Sequence, residues 1–413
     1  MGNTLLAINN YFYRRGGAEA IFLDQMDMFE RAGWQAVPFS MQHPNNLNSN
    51  WSSYFVPEIE FGSQSSLLKK VEHSLEVIYS RKARARLSGL IDRARPDIAH
   101  AHNVYHHISP SIFPLLKQRG IPTVMTVHDL KLACPAYKML SPNGICEQCK
   151  GGRIYNVLAN RCMKGSVALS GLVMVETAVH RALGLYRNHI DKLVVPSRFY
   201  KTKLIEWGWP EDQLTYIPNF VDQAISERPV TVDEGDYYLF AGRLAPEKGI
   251  ATLIKAAGLS GQRVRIAGTG PDDAALRALA RDGGADVEFM GYLSGQALHE
   301  AIAGAKALVL PSEWYENAPV SLLESYALGR PVIGTAIGGI PELIKDGKTG
   351  LIAKPFDTES LAGVLTAMSQ LSRNSRQEMG ACGRAWVRQE FSQAAYLERT
   401  TRLYSELGVK DTG

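Results

Sequence analysis

The 413-residue chain lacks the long apolar stretch that a membrane-spanning helix needs. No run of about 18 apolar residues occurs without a charge. The best candidate, residues 166–175, is interrupted by Glu176 and then by His180 and Arg181. The amino-terminal apolar run, residues 5–8, is too short for a secretory signal. We therefore expect a cytoplasmic protein that has no transmembrane helix.

Cysteine is scarce, and the formal charges nearly cancel. The chain has five cysteines, and its net charge of +4 is far below that of a dedicated nucleic-acid-binding protein. The charge is uneven, because residues 1–221 hold 25 Lys and Arg against 17 Asp and Glu, whereas residues 222–413 hold 20 against 24. The basic half favours contact with an anionic surface such as a membrane, although an excess of solvated side chains explains it equally well. We expect no nucleic-acid partner.

Short apolar runs alternate with helical patterns along the whole chain, which predicts βαβ units with parallel sheets. The predicted strands are 4–8, 36–39, 98–100, 123–127 and 192–195 in the first half, and 237–240, 263–266, 287–289, 307–310, 331–334 and 350–352 in the second. The stretch 219–236 carries prolines and an acidic run and has the composition of a linker. We predict an α/β fold with domains 1–221 and 222–389, and one long helix at about 384–407.

The strongest chemical signal is the nonapeptide that runs from Glu316 to Glu324, with the sequence ENAPVSLLE. A helix that opens at Pro319 would leave the backbone N–H groups of Val320 and Ser321 available to an anion. Glu324 could accept hydrogen bonds from a ribose, and Glu316 from a second hydroxylated group. Paired glutamates at this spacing also occur on ordinary surfaces, so this motif alone does not establish a site.

Three further motifs follow predicted strands. Arg243 and Lys248 lie five positions apart in a turn, where they could clamp a diphosphate. Gly16 and Gly17 lie between the first strand and the first helix, where parallel sheets bind anions. The turn Gly-Thr-Gly-Pro at 268–271 lacks the third glycine of a dinucleotide fingerprint.

Taken in chain order, the motifs resemble the retaining glycosyltransferases of family 4. They are Gly16-Gly17, His128-Asp129, Gly242-Arg243 with Glu247-Lys248-Gly249, Gly268-Thr-Gly270-Pro271, Glu316-x7-Glu324 and Gly338-Gly339-Ile-Pro-Glu342. The resemblance covers nearly the whole chain and is most specific between residues 242 and 356. It implies the GT-B fold, in which two Rossmann-like, doubly wound parallel-sheet domains face a cleft. It also implies that residues 390–413 pack back on the first domain.

The resemblance implies a nucleoside diphosphate sugar as donor and a glycan, or a polyprenyl-diphosphate-linked glycan, as acceptor in polysaccharide assembly. Arg243 and Lys248 would stabilise the leaving diphosphate, Glu316 would hold the donor sugar, and His128 would contact that sugar or its developing charge. Other donor-binding residues would be Gly16, Gly17, Tyr292, Leu293, Asn317, Ala318, Pro319, Val320, Ser321 and Glu324. His102 and Asn103 would line the acceptor side.

No cofactor is implied for catalysis, and the chain contains no Asp-x-Asp motif to hold a divalent metal at the diphosphate. Two other functions use the same fold. A sugar-nucleotide epimerase or a phosphorylase would need a different set of charged residues, and a phosphorylase would also need a lysine for pyridoxal. A non-catalytic binding protein would be expected to have lost Arg243, Lys248, Glu316 or His128, and all four are present.

Four of the five cysteines lie in the irregular loop 134–165, at Cys134, Cys146, Cys149 and Cys162. A Cys-x-x-Cys pair with two flanking cysteines is compatible with a structural zinc site. The spacing is not that of a standard zinc ribbon, and an iron–sulfur cluster, disulfides or free thiols are alternatives. The loop has few apolar residues, so a metal or a bridge would give it a reason to be ordered.

Residues 67–95 predict one or two basic amphipathic helices. The apolar stripe comprises Leu68, Val71, Leu75, Ile78 and Leu87, and the cations are Lys69, Lys70, Arg81, Lys82, Arg84, Arg86, Arg93 and Arg95. Such a face can lie on an anionic membrane, which predicts peripheral association at the inner face. Equally, the stripe can face the protein core.

Overall fold

The computed structural model describes residues 2–58, 67–229 and 234–410, and for residues 67–71 it describes the backbone alone. It divides into two compact units. Unit 1 comprises Met1–Ser141, Cys146–Ile217 and Leu397–Gly413, and unit 2 comprises Pro142–Ile145 and Pro218–Tyr396. The change of unit between residues 217 and 218 lies four residues before the predicted boundary.

The strands are, in chain order, β1 (Thr4–Ile8), β2 (Gln35–Phe39), β3 (Ile98–Ala101), β4 (Thr123–Thr126), β5 (Leu140–Ser141), β6 (Gly144–Ile145), β7 (Lys192–Val195), β8 (Leu214–Tyr216), β9 (Tyr237–Ala241), β10 (Arg263–Ala267), β11 (Val287–Gly291), β12 (Leu308–Leu310), β13 (Val332–Thr335) and β14 (Gly350–Ala353).

The α-helices are α1 (Gly17–Arg31), α2 (Leu67–Ile78), α3 (Arg81–Ala94), α4 (Ile112–Gln118), α5 (Asn156–Ala159), α6 (Val167–Ala182), α7 (Arg198–Glu206), α8 (Gln223–Ser226), α9 (Ile250–Ser260), α10 (Asp273–Asp282), α11 (Gly295–Ala303), α12 (Val320–Ala327), α13 (Thr358–Gln370), α14 (Arg373–Glu390) and α15 (Gln393–Glu406).

Unit 1 is built on a six-stranded sheet in the order β2-β1-β3-β4-β7-β8, with every pair parallel. The five strands predicted in the first half are confirmed. Strand β8 was missed, because its three residues include a single fully buried side chain, Leu214, and give too short an apolar run. The strand order reverses between β1 and β3, which is where doubly wound sheets bind their ligands.

Unit 2 repeats the architecture with the order β11-β10-β9-β12-β13-β14, again all parallel. All six predicted strands are confirmed, and their apolar side chains form the cores on the two faces of the sheet. Here the order reverses between β9 and β12. The loops that follow these two strands therefore leave from the same edge of the sheet at a switch point. The predicted pair of doubly wound parallel sheets is confirmed.

The single long helix predicted at 384–407 is wrong. The structure has two helices, α14 and α15, which are separated at Phe391 and Ser392. The buried Phe391 packs on Trp386, and its carbonyl accepts a hydrogen bond from the N–H of Val221. Ser392 then caps the new helix, because its Oγ accepts from the N–H of Ala395 at 3.2 Å.

The basic segment 67–95 forms two helices, as one of the predicted alternatives. In α3 the apolar stripe faces the core, since Ala83, Leu87, Leu90 and Ile91 are all buried. The membrane interpretation of this stripe is therefore wrong for α3. In α2, Leu75 is exposed and Ile78 is half-buried, while the side chains of Leu68, Lys69, Lys70 and Val71 lie outside the described residues.

Within the described ranges, no helix combines the length and the apolar content needed to cross a bilayer.

A buried charge cluster of Glu234, Arg330 and Arg376 connects α14 to the rest of unit 2. Glu234 accepts from Nε of Arg376 at 3.0 Å and lies 3.4 Å from a guanidinium nitrogen of Arg330. The three side chains are at most 9% exposed. Burying one carboxylate between two guanidinium groups is tolerable only while all three are present, because a lone buried charge is costly.

Replacing Glu234 with Ala should lower the free energy of unfolding by about 3–5 kcal/mol, because two buried guanidinium groups lose their counter-charge. Urea denaturation would measure the loss. The matched control is Glu398→Ala, which removes a 70% exposed carboxylate paired with Arg402 and should cost less than about 1 kcal/mol. Equal effects of the two substitutions would contradict this account.

Candidate functional site

In unit 2, three loops with predicted site residues follow adjacent parallel strands. The loop after β9 carries Arg243 and ends in the 3-10 turn Pro246–Lys248. The loop after β12 carries Glu316, and the loop after β13 carries Gly338. Because β9, β12 and β13 are neighbours in the sheet, these loops share one edge of it.

Two predicted site residues, 68 positions apart, meet in an ion pair. Nζ of Lys248 donates to Oε1 of Glu316 at 2.6 Å, and the hydroxyl of Ser312 donates to the same oxygen at 2.8 Å. Burial alone would raise the pKa of Glu316, but the charge of Lys248 and hydrogen bonds from Lys248, Trp314 and Ser312 hold it below its usual value. Glu316 therefore stays ionised at neutral pH although it is buried.

Two glycines let the backbones approach closely enough to form this pair. Gly249 has φ 67° and a Cβ at this position would collide with the carbonyl oxygen of Pro311, so β12 could not come this close. Gly338 has φ 61°, and a Cβ there would collide with the backbone N and O of Glu316. The N–H of Gly339 donates to the carbonyl of Glu316 at 2.8 Å. Both glycines are thus required by geometry.

Arg243 is paired differently from Lys248. Its guanidinium forms an ion pair with Glu247, whose side chain is 2% exposed, while the Arg243 side chain is 57% exposed. The buried carboxylate holds one side of the guanidinium, and the rest of the side chain faces solvent. Lys248 is 24% exposed, and its ammonium lies 5.1 Å from the centre of the Trp314 ring. The sequence placed Glu247 in the same motif as Arg243 but did not predict that the two residues pair, and it gave no sign of Trp314.

Helix α12 begins at Val320, as predicted, with Pro319 as its N-cap. The amide of Asn219 donates to the carbonyl of Ala318 at 2.9 Å and fixes the approach to the helix. Asn317, Val320, Ser321 and Glu324 are all half-buried. Tyr292, predicted to lie near a nucleobase, is 69% exposed after β11, whereas Leu293 packs against the unit 2 core.

In unit 1, three histidines follow or end neighbouring strands and stack on one another. The rings of His100 and His102 are 5.0 Å apart, and those of His102 and His128 are 5.1 Å apart, all nearly parallel. The buried Gln25 of α1 bridges them. Its amide nitrogen lies 3.0 Å from Nδ1 of His100, and its amide oxygen lies 2.8 Å from Nε2 of His102.

This network fixes the tautomers of the rings. Because the amide oxygen of Gln25 only accepts, His102 must donate from Nε2 and accept at Nδ1, where Nε2 of His128 lies 2.8 Å away. His128 therefore donates from Nε2. His100 accepts at Nδ1, 2.6 Å from the hydroxyl of Tyr404, and donates from Nε2 to Thr126 at 2.7 Å.

The network changes the interpretation of His102. It was predicted to line the acceptor side, and its side chain is fully buried and hydrogen-bonded to that of His128. Asn103 is half-buried, and its Oδ1 is a buried atom with no hydrogen-bond partner among the described residues, as is Oδ1 of Asn10. Gly16 and Gly17 are exposed at the start of α1.

Sequence reasoning missed Gln25, His100 and Tyr404. Two signals were present. Gln25 interrupts the apolar face of α1, and His102 follows the predicted strand that ends at His100, two positions on, where extended backbone would direct both side chains to the same face. The third residue, Tyr404, lies 304 positions from its partner, and no local pattern connects them.

The four loop cysteines are gathered around one cavity of about 10 Å³, close to the space of one water molecule or ion. Burial and the neighbouring thiols raise the pKa of Cys149 to about 12. Burial also raises the pKa of Cys134, although the backbone N–H groups of Met139 and Ala136 donate to its sulfur. Within the described residues, no three His, Cys, Asp or Glu side chains have the spacing to hold a metal.

Two family models match the chain. The model "Glycosyltransferase Family 4" matches residues 15–224, about half of the chain, and the model "Glycosyl transferases group 1" matches residues 221–386. Together they span residues 15–386, which hold every strand of the two six-stranded sheets except β1.

Several curated proteins are similar in sequence. An alpha-D-kanosaminyltransferase of Streptomyces kanamyceticus is 29% identical over 43% of this chain and 47% of its own length. A GDP-mannose-dependent phosphatidylinositol monomannoside mannosyltransferase of Corynebacterium glutamicum is 33% identical over 39% and 45%. The chain thus spans about half the length of these relatives. The amylovoran biosynthesis glycosyltransferase AmsK of Erwinia amylovora is 24% identical over 83% and 96%.

Solved structures share the fold. Sucrose-phosphate synthase from Thermosynechococcus elongatus superimposes with a TM-score of 0.74 at 19% identity and covers 98% of this chain and 99% of its own. Anabaena HepE, solved with UDP and glucose, gives 0.66 at 15% identity and covers 98% and 100%. At these identities the likeness concerns the fold alone.

The buried histidines predict that the protein loses stability in mild acid. An imidazole in the unfolded chain takes up a proton near pH 6.5. Burial lowers the pKa of His100 to about 3 and that of His128 to about 4. Between pH 6.5 and these lowered pKa values, the unfolded state binds more protons than the folded state does. The free energy of unfolding should therefore fall from pH 7 towards pH 4, as urea denaturation can measure.

Asp129 supplies the internal control. Burial raises its pKa to about 6, so the folded state takes up a proton there before the unfolded state does and partly offsets the histidines. Asp129→Asn should therefore make the loss of stability between pH 6 and pH 4 steeper. A wild-type stability that is flat or rises in acid, or a shallower loss in the variant, would contradict the assignment.

Proposed function

Because the chain belongs to glycosyltransferase family 4, we propose that it transfers a sugar from a nucleoside diphosphate sugar to a glycan or a lipid-linked glycan in polysaccharide biosynthesis. The transfer retains the configuration at the anomeric carbon and uses no divalent metal at the diphosphate. The observation that carries the proposal is the ion pair of Lys248 and Glu316 at the switch point of unit 2.

In this proposal the cations of unit 2 bind the diphosphate. Arg243 offers a planar guanidinium that is held on one side by Glu247 and open on the other, which suits two phosphate oxygens. Lys248 supplies a point charge, and its contact with the ionised Glu316 keeps the ammonium in place before the donor arrives. The backbone N–H groups of Val320 and Ser321 at the start of α12 add two further donors.

The sugar transfer itself needs no nucleophile from the protein. The bond between the anomeric carbon and the diphosphate oxygen breaks, and the acceptor hydroxyl oxygen bonds to the same face of that carbon. The hydroxyl proton passes to the departing phosphate. The protein contributes charge stabilisation of the leaving group, the term that dominates such reactions.

Three further groups position the substrates. Glu316 accepts hydrogen bonds from hydroxyls of the donor sugar, and Glu324 accepts from the ribose. In unit 1, His128 is neutral at pH 7 because burial lowers its pKa to about 4, and it meets the sugar as a polar group without charge. Gly16 and Gly17 are proposed as backbone donors to phosphate, and Asn103 as a contact of the acceptor.

The first test is a calorimetric binding panel of UDP, GDP, ADP and dTDP, and then of their sugars, with EDTA present. One nucleoside diphosphate should bind tightly, and its affinity should not change with EDTA. Solved neighbours contain UDP and curated relatives use GDP-mannose, so the panel also identifies the base. Failure of every nucleotide to bind would overturn the proposed nucleoside diphosphate sugar donor. Binding that needs a metal would overturn the proposal that no divalent metal is used at the diphosphate.

Two substitutions separate the proposed roles. Arg243→Ala should weaken nucleoside diphosphate binding about 10- to 100-fold, because it removes a charge-assisted contact. The control is Arg277→Ala, which removes an ion-paired cation on α10 and should leave this affinity unchanged. Glu316→Gln should lower the transfer rate about 100-fold or more and should weaken nucleoside diphosphate binding by less than Arg243→Ala does. An active Glu316 variant, or an unaffected Arg243 variant, would remove that residue from the site.

The structural zinc predicted from the cysteines remains part of the proposal, with no role in catalysis. The four thiols surround one cavity of ionic size, and N–H donors point at the sulfur of Cys134, as they do around metal thiolates. The sulfurs would have to turn inward to reach tetrahedral distances. Bound zinc would then order a loop that is poor in apolar side chains.

Elemental analysis of the full chain, purified without chelator, tests this site. We expect about one zinc per chain, which Cys149→Ser should abolish and Cys382→Ser, in α14, should leave unchanged. Five titratable thiols without zinc, or two disulfides detected by mass spectrometry under non-reducing conditions, would overturn it.

A further inference from the structure

Helix α6 of unit 1 has the opposite polarity to an ordinary surface helix. Its buried side carries four polar side chains, Ser170, Glu176, Thr177 and His180, and the single apolar residue Val173. A surface helix normally buries its apolar stripe and exposes its polar face. In α6 the polar side faces the protein.

The polar side is fixed in place by specific partners. Glu176 forms a fully buried ion pair with Lys131 at 2.8 Å, and a ring nitrogen of His106 lies 3.6 Å from it. Nε2 of His180 lies 2.7 Å from the carbonyl oxygen of Ile78. Rotating α6 to bury its other side would break the ion pair and leave buried charges unpaired, so the orientation cannot relax.

The outward face is apolar along its whole length. Val167 is 53% exposed, Val175 46% and Leu183, directly after the helix, 52%. Between them, at helical spacing, the exposed residues are Ala168, Ala178 and Ala182, and the half-exposed ones are Gly171, Leu172 and Val179. An exposed apolar surface of this continuity indicates a binding partner.

Charge identifies the kind of partner. Residues 148–190 contain six Lys and Arg and a single acidic residue, Glu176, which is buried and paired. Five of the six cations, Arg153, Arg161, Lys164, Arg181 and Arg187, are exposed. The apolar face of α6 is therefore flanked by positive charge that no exposed carboxylate in this segment offsets.

We propose that the outward face of α6 docks on a lipid bilayer that contains anionic lipids, with the apolar side chains at the acyl boundary and the flanking cations on the headgroups. A second copy of the chain fits this surface less well. A symmetric dimer through α6 would bring two sets of unpaired cations together, which is unfavourable. This docking does not depend on the proposed transfer reaction. It would, however, bring unit 1 to the membrane surface, where a lipid-linked acceptor lies.

Flotation of the full chain with vesicles tests the inference. The wild-type protein should float with phosphatidylcholine vesicles that contain phosphatidylglycerol and should bind pure phosphatidylcholine at least about tenfold more weakly. Val175→Asp, at a 46% exposed position on this face, should reduce binding to the anionic vesicles about tenfold or more. Lys164→Glu should reduce binding to a similar extent. High salt should likewise weaken the binding of the wild-type protein to the anionic vesicles.

The matched control is Leu259→Asp in α9 of unit 2, where a 66% exposed leucine stands alone, and its vesicle binding should equal that of the wild type. Vesicle binding that is absent in the wild type, or unchanged in Val175→Asp, would overturn the inference. So would a concentration-dependent dimer in sedimentation that Val175→Asp abolishes, since this would assign the face to a second copy. Nucleoside diphosphate affinity, measured on the same samples, reports separately on the proposed transferase.

Discussion

The candidate site of unit 2 depends on the contact between Lys248 and Glu316. The two residues come from loops 68 positions apart, and they meet because β9 and β12 are adjacent in the sheet although they are distant in the chain. Close backbone approach at Gly249 and Gly338 then brings the loops within hydrogen-bond distance. A buried carboxylate is stable there only with its ammonium partner and the Ser312 hydroxyl, so each loop fixes the position of the other.

Much of the architecture could be predicted from the sequence, because parallel sheets buried on both faces leave apolar runs that are easy to recognise. Eleven strands and the start of α12 at Val320 followed from such runs and from a proline at the cap. The break between α14 and α15 did not, because it depends on Phe391 reaching a distant core and on Ser392 capping a new helix. Composition alone presents that segment as one continuous helix.

The site was less predictable than the fold. Arg243, Lys248, Glu316 and His128 could be named from their positions after strands, but their contacts with Glu247, Ser312 and His102 could not. Those contacts depend on side-chain geometry that spacing does not encode. His102 shows the difference well: its place after a strand is that of a ligand contact, and spacing gives no sign of its hydrogen bond to His128.

The hydrogen bond between His100 and Tyr404 also bears on how the protein is made. His100 belongs to the third strand of unit 1, yet Tyr404 is synthesised after the whole of Pro218–Tyr396. At ribosomal elongation rates this interval is on the order of 10 s or longer. During that time the first sheet exists with its histidine stack incomplete, so unit 1 finishes folding after unit 2 has left the ribosome. A nascent chain would therefore expose the surface that α15 covers until residue 404 has left the ribosome.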